Sequence, residues 1–270
     1  NTEAGLLSTL ASAVSIAGGA SVGQYGPLVH FGGVIGDYFS KLLRDQTSPH
    51  ILLACGCAAA ISSGFGAPIA GIIFAHEVIV RHFSLKAVAP ILISSVVSNY
   101  ISIKFYESDP LFQASIGGLS NFYEILPLAI LGIASALVAT LYMRGLTGFL
   151  PIPKKLPIFF RPILAGFICG FVGLFYPELL GLGTSTIRSF IEVPGELYNI
   201  LILLFGKLFL TVICIRFNLF GGIFSPALFL GVMVGSLFAI FYSYFLPEIN
   251  FSLFAVAGMA AVSSSVIGGP

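Results

Sequence analysis

Two short stretches of this chain have the make-up of an ion-binding device that uses backbone rather than side chains. Gly23-Gln-Tyr-Gly-Pro-Leu-Val-His-Phe-Gly-Gly-Val-Ile-Gly36 aligns without a gap on Gly222-Ile-Phe-Ser-Pro-Ala-Leu-Phe-Leu-Gly-Val-Met-Val-Gly235. Gly23 meets Gly222, Pro27 meets Pro226, Gly32 meets Gly231 and Gly36 meets Gly235, with Tyr25 opposite Phe224. In both, a glycine-containing turn leads to a proline, which suits the first helical turn because its missing N–H has no partner there anyway. The first N–H groups of such a helix are unpaired within it, and the macrodipole gives that end roughly half a positive charge. Two ends of this kind aimed at the middle of a bilayer form a cage of donors with no full charge among them. That chemistry suits a permeating anion: the donors replace lost water, whereas a lysine or arginine would hold the ion too tightly to release it. A cation site needs inward carbonyls or carboxylates, and Glu77 is nearly the only acid in the apolar segments.

A second pair of segments follows in the same order. Gly56-Cys-Ala-Ala-Ala-Ile-Ser-Ser-Gly-Phe-Gly-Ala-Pro68 matches Gly258-Met-Ala-Ala-Val-Ser-Ser-Ser-Val-Ile-Gly-Gly-Pro270. Two ordered pairs predict an internal repeat, a common plan for transporters and channels with a site at the membrane centre. The reading places the latter part of a first repeat over 1–150 and a second repeat over 151–270. After Pro68 the first copy continues to Glu77, so the second stops short of its counterpart. With a first residue, Asn1, that is not methionine and no signal-peptide pattern, the expectation is a piece of a longer chain.

The elements that hold these motifs must be membrane helices. Of 270 residues, 57% are hydrophobic and 9% charged, with a net charge of +1, and the mean hydropathy is +1.03. A soluble domain carries about 25% charge, so this chain cannot build a water-facing surface. The near-neutral balance also excludes a nucleic-acid binder. Ala4–Gly36 and Phe217–Pro247 contain no Asp, Glu, Lys or Arg. Each exceeds the roughly 20 residues that span a bilayer, yet glycine and proline interrupt both. Further apolar segments lie at 51–80, 87–103, 125–143, 162–177 and 198–215. With 31 glycines and 15 prolines, many helices should be short, tilted or broken, which membranes tolerate only where protein buries the break or it lines a cavity. The alternating ten-residue strands of an outer-membrane barrel are not seen. The connector 144–161 carries Arg144, Lys154, Lys155 and Arg161 without an acid, which predicts a cytoplasmic loop.

Other patterns read as structure. Gly19-Ala-Ser21-Val-Gly23 has the spacing of a hydrolase nucleophile but lies in an apolar helical run with no strand before it. His76-Glu77 with His82 lacks the four-residue histidine spacing of a zinc site, and neither a metal nor a cofactor is expected. Cys55, Cys57, Cys169 and Cys214 sit in apolar runs as small buried residues. His30 is read as a neutral, hydrogen-bonded packing residue rather than a proton relay. Glu77 divides between hydrogen-bonded structure and a place in a water or proton path. The pairs Gly19/Gly23, Gly32/Gly36 and Gly231/Gly235 permit close helix packing.

Four segments resemble the signatures of the CLC family of chloride channels and chloride/proton antiporters. Residues 18–33, GGASVGQYGPLVHFGG, resemble GxxGxEGPxVH, and 64–78, GFGAPIAGIIFAHEV, resemble NAPLAGxxFxxEE/EV. Residues 221–235, GGIFSPALFLGVMVG, are similar to GGIFxPxLxxG, and 254–270 are similar to FAxxGMxAxxxxxxxxP. The resemblance implies an all-α membrane protein, a bundle of tilted and broken helices with an inverted internal repeat. It also implies a homodimer in the lipid bilayer, with one anion pore per subunit, in the plasma (inner) membrane. By this resemblance the protein is not an enzyme, and its ligand is chloride or another small anion. The backbone N–H groups that the family turns on the anion correspond to Gln24, Tyr25 and Gly26 and to Ile223, Phe224 and Ser225. Two departures stand out. Tyr25 occupies the place of the gating glutamate. Val78, one residue after Glu77, occupies that of the internal proton-transfer glutamate, where the family's channels also have valine. The serine-bearing intracellular motif would precede Asn1, and the pore tyrosine would follow Pro270.

Those departures have a physical reading. A carboxylate can take the anion's place, then neutralise on protonation and swing away, whereas a tyrosine phenol stays neutral at working pH. Val78 offers no proton station. The expectation is therefore a passive chloride channel in which Tyr25 shapes or narrows the outer pore. The alternatives are a chloride or fluoride/proton antiporter with an unlocated proton path, and a non-conducting family member.

Overall fold

A computed structural model describes residues 2–43, 49–82, 85–106, 111–112, 124–149, 157–193, 195–245 and 249–268. Among them the chain is helix and turn with no strand, as an apolar chain must be where helices satisfy their own backbone groups. The helices are α1 (Thr2–Ala17), α2 (Tyr25–Leu42), α3 (Pro49–Phe65), α4 (Pro68–Phe74), α5 (Leu85–Tyr106), α6 (Ile125–Arg144), α7 (Phe160–Gly173), α8 (Thr184–Glu192), α9 (Leu197–Arg216), α10 (Phe224–Ser243) and α11 (Phe251–Ile267). Among the described residues four segments are long and apolar enough to cross a membrane: Leu85–Tyr106, Ile125–Gly148, Leu197–Arg216 and Phe224–Ser243. The breaks fall where glycine and proline punctuate the sequence. The apolar run from Ala4 to Gly36 is two helices, and Pro27 and Pro226 are each the third residue of theirs.

The chain forms two compact units, one from 1–13 and 25–113 and the other from 14–24 and 114–268. In the first, α2 packs on α3 through glycines: a Cβ at Gly32 would run into the Gly56 backbone, and one at Gly36 into that of Leu52. On its other side α3 meets α5 through a ladder of hydroxyls. Ser94 Oγ donates to Cys55 O (2.9 Å), Ser98 Oγ to Ala59 O (2.9 Å) and Ser102 Oγ to Ser63 O (3.5 Å). Two further bonds lie off that row, Ser62 Oγ to Ser95 O (2.6 Å) and Ser95 Oγ to Pro68 O (2.8 Å). After α4 the helix widens to a π-helical stretch, Ala75–Val80, which ends at Arg81 with φ 61°.

In the second unit α10 is the central element and α11 packs on it by the same device. A Cβ at Gly231 would meet the Gly258 backbone, and one at Gly235 that of Phe254. The glycines aligned by the sequence repeat thus make equivalent close contacts in the pairs α2–α3 and α10–α11. Helices α7 and α9 meet at Cys169 and Cys214, whose sulfurs are 3.2 Å apart; both are free thiols, as are Cys55 and Cys57, and all four are buried.

Lys207, on α9, is fully buried. Its Nζ donates to Leu179 O (3.1 Å) and Gly181 O (2.7 Å) and lies 5.2 Å from the centre of the Phe229 ring. A buried cation requires compensation, and here two carbonyl dipoles and an aromatic face supply it.

One expectation needs correcting. The segment from Gly19 to Gly23 is not a helical run: α1 ends at Ala17, and Gly19 takes φ +84° in the break before α2. Gly19 and Gly23 therefore shape a turn and a bridge rather than a helix-packing stripe. Of the basic connector, Lys154 and Lys155 lie outside the described residues, as does Pro270.

Candidate functional site

The break between α1 and α2 carries the motif's first glycine to its counterpart. Gly23 N–H donates to Gly222 O (2.7 Å) and Gly222 N–H to Gly23 O (2.6 Å), an isolated antiparallel bridge. The aligned glycines of the two repeats are thus bonded to each other. The approach is close enough to demand glycine. A Cβ on Gly23 would sit 2.9 Å from Ser225 Oγ and 3.0 Å from both Gly222 O and Ser225 N. Two residues beyond each glycine a helix begins, at Tyr25 and at Phe224.

The N-terminus of α10 has no side-chain cap at Ile223. Instead Tyr142 of α6, fully buried, donates its phenol O–H to the Ile223 carbonyl at 3.2 Å. That bond fixes the peptide unit from which the helix starts. Ser225 is 3% exposed and its Oγ has no hydrogen-bond partner. The helix then runs for 20 residues, long enough for its aligned peptides to sustain a positive N-terminal end.

Helix α2 starts with a ring that is held down. Tyr25 is buried and stacks on Phe65 with centroids 3.8 Å apart and planes 20° apart. Its O–H donates to Gly64 O at 3.4 Å. Gly64 makes room for the ring: a Cβ there would lie 3.1 Å from a Tyr25 ring carbon. Gly26, the next residue, is exposed, and Gln24 is half-buried. Of the six predicted anion-binding residues, Gln24, Ile223, Phe224 and Ser225 fall in one compact unit, and Tyr25 and Gly26 in the other.

Glu77 and Val78 are neighbours on the π-helical stretch, and both are half-buried. Widened turns of this kind recur at functional positions in helices. His76 is buried on the same stretch, whereas His82 is exposed beyond its end, with Nδ1 2.9 Å from Val80 O. His30 Nδ1 lies 3.2 Å from Ser8 Oγ, a hydrogen bond between α2 and α1.

Sequence reasoning assigned only backbone roles to Ser225 and none to Tyr142 or Lys207. A lone lysine inside the apolar segment 198–215 was the available signal for Lys207. Nothing in the chain pattern marks Tyr142, because its role depends on a partner 81 residues away.

Comparison with known proteins agrees with the fold and the motifs. The family model described as voltage gated chloride channel matches residues 2–270. The voltage-gated ClC-type chloride channel ClcB of Escherichia coli O81 (strain ED1a) is 30% identical over 275 residues, which cover 99% of this chain and 65% of that protein. The chain therefore spans about two thirds of the length of this relative. Among solved structures, a slow cyanobacterial Cl−/H+ antiporter superposes with a TM-score of 0.76 at 22% identity, covering 92% of this chain and 60% of the other. A CLC-type fluoride/proton antiporter gives 0.75 at 23% identity, covering 93% and 63%. At such identities the structural likeness speaks for the fold alone, but the family match runs along the whole chain: it is an integral membrane protein that belongs to the voltage-gated chloride channel family, the CLC family of channels and transporters.

Proposed function

We propose that the protein carrying this chain conducts chloride passively. In this reading the anion is held by backbone N–H groups of Gln24, Tyr25 and Gly26 and of Ile223, Phe224 and Ser225. The observation that carries the passive mechanism is the state of Tyr25. Its ring is clamped on Phe65 and its O–H is bonded to the Gly64 carbonyl, so the side chain at the gate position is a fixed wall. It has no carboxylate to exchange with the ion. Val78, at the internal proton position, supports the same reading because its side chain cannot carry a proton. The working protein is proposed to be a homodimer in the plasma membrane, needing no cofactor.

The test uses the full-length protein in liposomes, with chloride efflux and external pH recorded together under an outward chloride gradient. The expected result is efflux that requires a cation ionophore to balance charge and that draws in no protons. Proton uptake in fixed proportion to chloride would overturn passive conduction. It would favour the second reading, a chloride or fluoride/proton antiporter, which takes its support from the activities named for the two solved structures. In that case Glu77 is the carboxylate to examine. No flux of any anion would mark a non-conducting family member.

A further inference from the structure

We propose that the Ser225 hydroxyl is a side-chain ligand of the permeating anion, one O–H donor added to the backbone N–H groups at the start of α10. The proposal rests on the reading of that helix end as an anion site and goes further, in that it names a side chain that tunes which anion is held.

The hydroxyl is left over in a place where hydroxyls seldom are. Buried polar side-chain atoms are nearly always hydrogen-bonded, yet Ser225 is 97% buried and its Oγ is unpartnered. Helical serines usually discharge their proton on a carbonyl three or four residues back. Ser243 does so to Ile240 O (2.7 Å) and Ser263 to Met259 O (2.7 Å) in the same unit. Ser135 and Ser236 are buried without a partner as Ser225 is, but both lie in mid-helix, and of the three Ser225 alone stands at a helix start. Ser225 is the second residue of its helix, so the carbonyls behind it belong to the turn and not to a preceding helical turn. The one three back, Gly222 O, already accepts the Gly23 N–H of the bridge.

The hydroxyl's position is also specific. Ser225 Oγ and Ser225 N lie 2.9 and 3.0 Å from a single point, the place where a Gly23 Cβ would stand. Both atoms of the residue therefore lie close against Gly23, beside its bridge to Gly222. At the aligned position of the other repeat stands Gly26, which has no side chain. The donor is thus built into one helix end only.

A neutral O–H donor strengthens a site without adding charge, so the ion can still leave. An extra donor favours small, strongly hydrated anions, which lose the most water on entry, over large, weakly hydrated ones. Chloride should gain on thiocyanate.

The test uses full-length protein with Ser225→Ala and, because it copies the aligned residue, Ser225→Gly; Ser225→Thr keeps the hydroxyl. Chloride titration by calorimetry and the chloride-to-thiocyanate flux ratio in liposomes are measured, with the melting temperature followed with and without chloride. Both hydroxyl-free variants should weaken chloride affinity about fivefold and lower the flux ratio by a similar factor. Ser225→Thr should restore them. A purely structural serine would instead lower the melting temperature in chloride-free buffer; here Ser225→Ala should leave that value unchanged and shrink only the rise that chloride induces. Wild-type chloride binding with unaltered affinity and flux ratio in Ser225→Ala and Ser225→Gly would overturn the proposal and leave the anion-site reading standing. If the wild type neither binds chloride nor passes it, the anion-site reading itself has failed and the proposal falls with it.

Discussion

Tyr25 makes two separable contributions through one side chain, a ring stack on Phe65 and an O–H bond to the Gly64 carbonyl. Replacing it by phenylalanine keeps the stack and removes the 3.4 Å bond, so conductance of the full-length protein should change by less than about twofold. Replacing it by alanine empties the space above Phe65. Chloride conductance should then rise several-fold if the ring narrows the pore, read as efflux rate at matched protein density; an unchanged rate would remove Tyr25 from the path. Tyr142 predicts a different outcome. Its phenol bonds the Ile223 carbonyl, from which α10 departs. Tyr142→Phe would remove one of the two bonds to that carbonyl, which also accepts the Ala227 N–H (3.2 Å), at a cost of about 0.5–1.5 kcal/mol. The melting temperature of the detergent-solubilised protein should fall accordingly. These side-chain directions were not legible in the sequence. A motif shows that a tyrosine replaces an acid, but where its ring turns depends on Gly64 leaving room and on Phe65 lying flat, both set by how α3 ends.

At the scale of elements the sequence was far more informative, because helix punctuation is local chemistry. Pro27 and Pro226 mark first turns by the geometry of the residue itself, and both helices start two residues before them. The repeated glycines also announced close packing, and α2–α3 and α10–α11 pack through them. The failure at Gly19 to Gly23 has an equally local origin. A glycine serves a close helix contact and a left-handed turn alike, and only the φ of +84° at Gly19 distinguishes them. The bridge to Gly222 could be read only as an alignment, since pairing across such a sequence separation leaves no periodic trace. The glycine contacts yield a symmetrical prediction. Gly32→Ala and Gly231→Ala each place a methyl against backbone rather than against a yielding side chain. Both should lower thermal stability by more than about 2 kcal/mol, whereas Gly132→Ala, with open space around it, should be neutral or slightly stabilising. Comparing the three by melting temperature separates crowding from helix propensity.

For the whole molecule, lipid changes what a contact is worth. Apolar faces such as Phe167, Phe171 and Leu174 of the α7 region are exposed, and in a bilayer they gain little by burying against protein. Helix association must then come from close backbone approach and from hydroxyls, which is what the glycine contacts and the α3–α5 serines provide. The row formed by Ser94, Ser98 and Ser102 repeats every four residues, and so do its acceptors at Cys55, Ala59 and Ser63. Such a row behaves as a comb: slid by one helical turn, two of its three teeth find a slot again. It provides adhesion but not an address. The address comes from the tooth out of step, Ser95 on the Pro68 carbonyl, since the residues one turn away on α5, Ile91 and Asn99, carry no hydroxyl. A chain assembling in lipid can therefore settle α5 against α3 early and correct its position later, with the break at Pro68 as the mark at which sliding stops.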